Sequence, residues 1–135
     1  IDAAIGRDPQ DRKKMSNRAR FARSAVTRIT FSRFLDGVSY LRVAIATGRT
    51  HQIRVHLSGI GHPIVGDTVY GGVRRLMPSH LRVVQRLERP FLHARRLAFT
   101  HPADPDRRLE FTAPLPEDLQ SVLDELVARA EARKP

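Results

Sequence analysis

The stretch Thr47-Gly48-Arg49-Thr50-His51-Gln52-Ile53-Arg54-Val55-His56-Leu57 gathers two arginines, two histidines, a glutamine and two threonine hydroxyls, and Gly61-His62-Pro63-Ile64-Val65-Gly66-Asp67 and Tyr70-Gly71 follow closely. Glycines let a backbone turn sharply or approach a ligand, and the arginines beside them present forked donors that match phosphate or carboxylate. The chemistry on offer is capture of an acidic group or a polyanion. An ordinary glycine-rich connection with solvated charges is the competing reading, and these residues alone leave both open. His51, His56, His62, His93 and His101 lie near this stretch or beyond it, yet their spacings lack the one-turn pair of a helical zinc site, so no metal is expected. Histidine and arginine could also run acid-base cleavage of RNA, but no specific string supports that reading.

Charge favours a polyanion. The formal charge is +10, and a basic field concentrates nucleic acid with salt-sensitive affinity. Residues 1–103 hold 19 Lys/Arg against 6 Asp/Glu, whereas residues 104–135 hold 5 against 8, so the cations belong to the body and not to a tail. With no cysteine, disulfides, thiolate metal sites and cysteine nucleophiles are excluded. No apolar run approaches a bilayer span and no apolar leader core opens the sequence; cytoplasm is the expected compartment. A length of 135 residues suits one domain. The chain starts at Ile1 inside a polar stretch, which gives the expectation of a segment from a longer polypeptide.

The elements that must position these groups are legible to different degrees. Residues 1–23 are polar and basic, with Arg12, Lys13 and Lys14 in a row, and no regular structure is expected there. Ala25 to Phe34 and Val38 to Thr47 are rich in β-branched and aromatic residues around Asp36-Gly37, the signal of a two-residue hairpin. Residues 51–60 fit a strand by the alternation of Ile53, Val55 and Leu57, and a helix by the shared face of Ile53, Leu57 and Ile60. Thr50 could cap that helix and Gly61 end it. Residues 61–72 read as a turn-rich loop. A short amphipathic helix is predicted from about Ser79 to Glu88, with Leu81, Val84 and Leu87 inward and Arg82, Arg86 and Arg89 on a solvated face.

Strands are predicted over Leu92 to Thr100 and Leu109 to Thr112, parted by the turn residues His101 to Pro105. A final helix carries Leu119, Val122, Leu123, Leu126, Val127 and Ala130 on one face, with Pro116 at its first position and Glu117 and Asp118 on its positive end. The fold class is α+β: mostly antiparallel sheet with flanking helices.

The string TGRTHQIRVHL followed by GHPIVGDTVYGG resembles the signature of RluA-type RNA pseudouridine synthases. Ile1-Asp2, Ile5-Gly6-Arg7-Asp8-Pro9 and Arg12-Lys13-Lys14-Met15 resemble the family's segment just upstream. Leu92-His93-Ala94, Leu97, Phe99, His101-Pro102 and Ala113-Pro114-Leu115-Pro116 resemble its downstream part. Ala4 departs from a proline often found there and leaves the first loop less restrained.

The resemblance implies the C-terminal portion of a single pseudouridine synthase catalytic domain, with no cofactor or metal and with structured RNA, expected to be ribosomal, as partner. It places residues 51–60 in a helix entered at Thr50. It implies that Arg54 pairs with the nucleophilic aspartate, keeping that carboxylate ionised and aimed. Arg49, Thr50, His51, Gln52, Arg12, Lys13 and Lys14 are then expected at the RNA, Arg49 on a phosphate. Tyr70 is expected to pack its loop and not to stack on a base.

The family's aspartate lies in a His-Arg-Leu-Asp string that does not occur in these 135 residues. Asp36 and Asp67 are better explained by the hairpin turn and the glycine-flanked loop. The segment is therefore expected to be inactive alone, and either to self-associate through a sheet edge that upstream strands would otherwise cover or to form an ordered remnant of a longer chain. The alternative is a noncatalytic, basic RNA-binding module.

Overall fold

The computed structural model describes residues 1–135, which fold as antiparallel ribbons and helices. The elements are β1 (Gly6–Arg7), β2 (Met15–Ser16), β3 (Thr27–Leu35), β4 (Val38–Ile45), α1 (Gln52–Gly59), a 3₁₀ helix (Ser79–Arg86), β5 (Arg96–Thr100), β6 (Arg108–Thr112) and α2 (Glu117–Ala132). The strands pair only with their neighbours, β1 with β2, β3 with β4 and β5 with β6, all antiparallel. Each strand therefore keeps one unpaired edge.

The central hairpin forms where the turn chemistry places it. Asp36 and Gly37 both take positive φ, 47° and 110°, the conformation that a two-residue turn between right-twisted strands requires. A Cβ on Gly37 would also lie 2.9 Å from Leu81 Cδ1, so glycine is needed twice over. The register runs from Thr27 opposite Ile45 to Leu35 opposite Val38, with an irregularity between Ile29 and Phe31.

The N-terminal stretch is more ordered than its composition predicts, and that expectation is corrected. Gly6 and Arg7 pair with Ser16 and Met15, and single bridges join Asp2 to Val26 and Ile5 to Arg23. The partners that order this stretch lie up to 26 residues away, where the Ile1 amino group reaches the Thr27 carbonyl at 2.6 Å. Local pattern carries no trace of such pairing.

Residues 52–59 are helical, as the resemblance implied, but Thr50 does not cap them. His51 occupies the junction in a left-handed conformation, φ 56°, without a side-chain cap. The helix ends as expected at Gly61, φ 82°, with Gly61 N–H on the Ser58 carbonyl and His62 N–H on the Leu57 carbonyl, a left-handed glycine closure. The segment expected as a helix from Ser79 is a 3₁₀ helix. Its buried residues are Leu81, Val83 and Val84. Pro116 stands just before α2 and not within its first turn; its carbonyl accepts the Leu119 and Gln120 N–H groups.

Two apolar clusters result. The larger joins Leu35, Leu81, Val83, Val84, Val122 and Leu126, so α2 and the 3₁₀ helix close over the tip of the β3–β4 hairpin. The smaller is Ile5, Ala25 and Val55 with Met15 and Tyr70 against them, beneath α1. Between these clusters the ribbons leave Phe34, Leu97 and Phe111 exposed at 71%, 61% and 56%. No helix is long and apolar enough to cross a membrane.

Candidate functional site

The β4–α1 junction is built around one buried glutamine. Gln52, 3% exposed, accepts from the Thr47 hydroxyl at 2.8 Å and the Arg49 N–H at 3.0 Å. It donates to the Val26 carbonyl at 2.9 Å and the Thr27 hydroxyl at 3.1 Å. A primary amide has two donor hydrogens and two acceptor lone pairs, and all four are engaged inside the chain. Nothing is left for RNA, which corrects the expectation for Gln52: it sets the junction and meets no ligand.

The same network continues into His56, 1% exposed. Its Nε2 lies 2.8 Å from the Ala3 carbonyl, which can only accept, so Nε2 carries the hydrogen. Nδ1 then accepts from the Thr27 hydroxyl at 2.8 Å. Buried polar groups are costly unless satisfied; here every one of them has its partner.

One turn into α1, Arg54 faces the glycine-rich loop. Its Nε donates to Asp67 Oδ2 at 2.8 Å and its Nη2 to Asp67 Oδ1 at 2.9 Å, a forked ion pair. The Arg54 guanidinium also lies over the Tyr70 ring, 5.0 Å from its centre. Nη1 forms no hydrogen bond within the chain. Asp67 is fully buried, and Oδ1 accepts in addition the N–H groups of Val69 at 3.0 Å and Tyr70 at 3.1 Å. Burial opposes ionisation of Asp67, but the Arg54 fork and the two backbone donors outweigh it and hold its carboxyl below the ordinary range. The hydrogen bond to Asp67 in turn raises the Arg54 pKa.

The loop that supplies Asp67 is tight. Gly66 N–H reaches the Gly72 carbonyl at 3.1 Å, and Gly72 N–H the Asp67 carbonyl at 2.7 Å. A Cβ on Gly72 would fall 1.6 Å from the Ile64 carbonyl oxygen, so that position admits only glycine.

Tyr70 ties this loop to the β1–β2 ribbon. Its hydroxyl accepts the Met15 N–H at 3.0 Å and lies 2.7 Å from His51 Nδ1. The hydroxyl hydrogen has no other acceptor, so Tyr70 donates to Nδ1 and His51 carries its own hydrogen on Nε2. Burial, and then the Arg54 charge, lower the His51 pKa, so the ring is neutral at neutral pH. Tyr70 packs against the small cluster, as expected of it.

An open cleft of about 340 Å³ lies here, lined by Lys13, Lys14, His51 and Arg54 with Asp11, Thr68 and Val69. Four of the eight residues singled out in the sequence thus meet at one place. Lys13 and Lys14 are brought there by the turn between β1 and β2. Asp8 Oδ1 accepts the Gln10 and Asp11 N–H groups at 2.8 and 2.9 Å, and Asp11 Oδ1 the Lys13 N–H at 3.0 Å. Those backbone donors hold the Asp8 carboxyl below its ordinary range. Asp11, overlooked in the sequence, is the cleft's exposed carboxylate; Lys14 Nζ is 4.0 Å away.

Arg12, Arg49 and Thr50 do not line the cleft. The Arg49 Nε donates to the Ser24 carbonyl at 3.0 Å, and Thr50 is exposed. None of Arg12, Lys13 and Arg49 has a carboxylate partner, whereas Arg33, Arg86, Arg89 and Arg96 are neutralised by Glu131, Glu125, Asp118 and Glu110. The acidic C-terminal quarter therefore pairs four of the body's cations away from the cleft and leaves Arg12, Lys13 and Arg49 uncompensated. Asp36 lies at the hairpin tip, 2.5 Å from Arg133 Nε. No three His, Cys, Asp or Glu side chains are grouped to hold a metal ion.

No protein-family model matches the chain. An uncharacterised RNA pseudouridine synthase of Chloroflexus aurantiacus is 51% identical over 130 residues, covering 96% of this chain and 38% of that protein. The ribosomal large subunit pseudouridine synthase D of Pseudomonas aeruginosa is 40% identical over 136 residues, covering 98% and 42%. Among solved structures, human RNA pseudouridylate synthase domain containing 1 superposes with a TM-score of 0.62 at 28% identity, over 98% of this chain and 58% of that one. The chain thus spans about two fifths of the curated relatives it matches. Its sequence and its mixed α+β fold with antiparallel pairing agree on one conclusion: these residues belong to an RNA pseudouridine synthase domain of the RluA type.

Proposed function

We propose that the chain is the RNA-holding, arginine-bearing part of a pseudouridine synthase that isomerises uridine in structured RNA, with ribosomal RNA as substrate. The observation that carries this reading is Arg54: aimed by Asp67 and Tyr70, lining a cation-rich cleft, and with Nη1 unengaged. In the longer enzyme Nη1 holds the nucleophilic aspartate, which the upstream segment supplies in its His-Arg-Leu-Asp string. That aspartate starts the reaction, and the base is detached, turned and rejoined to the sugar through carbon. A guanidinium beside it favours its ionised form and restricts its direction.

Lys13, Lys14 and the hydrogen on His51 Nε2 take the phosphate and polar groups of the nucleotide in the cleft. Arg12, Arg49 and Thr50 meet the flanking RNA. Neither Asp67 nor Asp36 replaces the missing aspartate. Asp67 is fully buried and held by Arg54 and two backbone N–H groups, so a nucleotide in the cleft does not reach it, and Asp36 is at the opposite end of the hairpin.

The test is tritium release from uridine-labelled ribosomal RNA, run on the 135 residues and on a chain extended upstream through His-Arg-Leu-Asp. We expect activity only in the extended chain. Activity in the shorter one would return attention to Asp11, the exposed carboxylate at the cleft. RNA binding by both chains with turnover by neither would establish the noncatalytic binding module instead. The free strand edges and exposed Leu97 and Phe111 support self-association of the short chain, read by its elution at rising concentration.

A further inference from the structure

Arg54 needs only an incoming carboxylate to serve the reading above, yet its Nε–Nη2 edge is already filled. We propose that Asp67 is a positioning residue for Arg54, which fixes the guanidinium plane and leaves its outer Nη edge as the part that can meet an anion in the cleft; the kinetic part of this inference rests on the synthase reading.

The geometry supports three steps. The Asp67 carboxylate is itself fixed, since it is fully buried and Oδ1 accepts two backbone N–H groups of its own loop. Two parallel N–H···O bonds at 2.8 and 2.9 Å then lock the guanidinium plane, and the Tyr70 ring restrains its face. The two Nη1 hydrogens and the second Nη2 hydrogen remain, so an anion in the cleft meets a guanidinium edge of fixed direction.

This matters for a nucleophile. A guanidinium locked in its plane presents its open N–H groups to an incoming carboxylate in one orientation and so fixes the direction of attack. The charge of Asp67 also offsets that of Arg54. The incoming carboxylate is thereby kept ionised without being drawn so far down in basicity that it loses reactivity. Asp67 touches neither substrate nor nucleophile in this scheme; it acts through Arg54.

The test uses the full-length enzyme and four forms: wild type, Asp67→Asn, Arg54→Ala and the double variant. Asparagine retains an acceptor for the Val69 and Tyr70 N–H groups but loses the fork. We expect Asp67→Asn to lower kcat by about 100-fold, the order of cost for a misplaced catalytic contact, with RNA Kd within about twofold of wild type. The double variant should match Arg54→Ala, because a residue acting only through Arg54 has nothing further to lose. Near-wild-type turnover in Asp67→Asn, or losses that multiply in the double variant, would overturn the proposal. An inactive wild type would defeat the synthase reading instead. For that case, and for a variant that does not fold, the Nε–H resonance of Arg54 in the wild-type protein decides. It should be resolved and slow to exchange, and fast exchange would refute the fork.

Discussion

The two ends of the β3–β4 hairpin are held by opposite means. At the tip, Leu35 packs with five buried apolar residues from the 3₁₀ helix and α2, rimmed by exposed ion pairs such as Arg89 with Asp118. At the base, only Ile5, Ala25 and Val55 form a core, and the joint is made by Thr27, Gln52, His56 and Asp67, all buried and all hydrogen-bonded. Apolar burial is non-directional and tolerates a change of shape at constant volume. A saturated polar network tolerates no such change, because each substitution strands a donor or an acceptor. Arg54 stands on the second kind of support, which fixes direction; the first fixes only proximity.

That contrast can be broken most sharply at Arg54. In the extended enzyme, Arg54→Ala should abolish measurable tritium release, a loss above about 1,000-fold, while RNA affinity falls only modestly. Arg49→Ala should do the reverse, weakening binding and sparing kcat, since Arg49 lies outside the cleft. An exchange of these two patterns would show that direction is not what the base of the hairpin supplies.

Matched conservative changes at the two ends come next. Gln52→Glu exchanges one heavy atom but removes both donors to Val26 and Thr27 and buries a carboxylate, and we expect a loss of about 3 kcal/mol in denaturant unfolding. Leu126→Met in α2, where Leu126 is buried in the cluster at the tip, changes shape at similar volume and should cost less than about 1.5 kcal/mol. Equal losses would erase the distinction.

Acid offers a smaller and graded probe. The folded Asp67 carboxyl lies below its ordinary value of 3.8, so its stabilisation is complete above that value and is lost as pH falls toward the folded one. Asp67→Asn should therefore flatten the acid limb of a stability-against-pH curve below about pH 4, relative to wild type. A limb of unchanged slope would place acid sensitivity elsewhere.

The smallest effect is expected at the rim of the apolar end. Arg89→Ala should leave both the melting temperature and RNA affinity indistinguishable from wild type, because its pair with Asp118 is exposed and screened. The RNA affinity of the whole chain should nonetheless fall steeply with salt, as expected when lysines and arginines displace counterions from phosphate. A flat salt titration would remove the electrostatic reading of the cleft.

How far these features can be read in the sequence follows the same division. Asp36-Gly37 and the face of Leu119, Val122 and Leu126 were legible because turn geometry and helical periodicity are local signals. Residues 51–60 were ambiguous for a physical reason: the buried stripe of α1 includes Gln52 and His56, so hydropathy alone could not find its period. The roles of Gln52 and Asp67 were hidden as well. A residue that looks like a ligand contact becomes structural only once its partners, 13 to 26 positions away, are brought to it. The β1–β2 pairing escaped for a related reason, since a basic turn held by two aspartates reads as loop until the bridges of Asp2 to Val26 and Ile5 to Arg23 brace it.

The hairpin has a mechanical consequence. From Thr27 to Leu35 it spans eight steps, about 26 Å at 3.3 Å per residue, and it is held at both ends, to α1 through Gln52 and His56 and to α2 through Leu35 against Val122 and Leu126. A beam fixed at both ends is a strut and not a lever. It holds the cleft and the C-terminal helix at a set separation without a shared core, so softening one end should reach the other as a change in angle and not in distance.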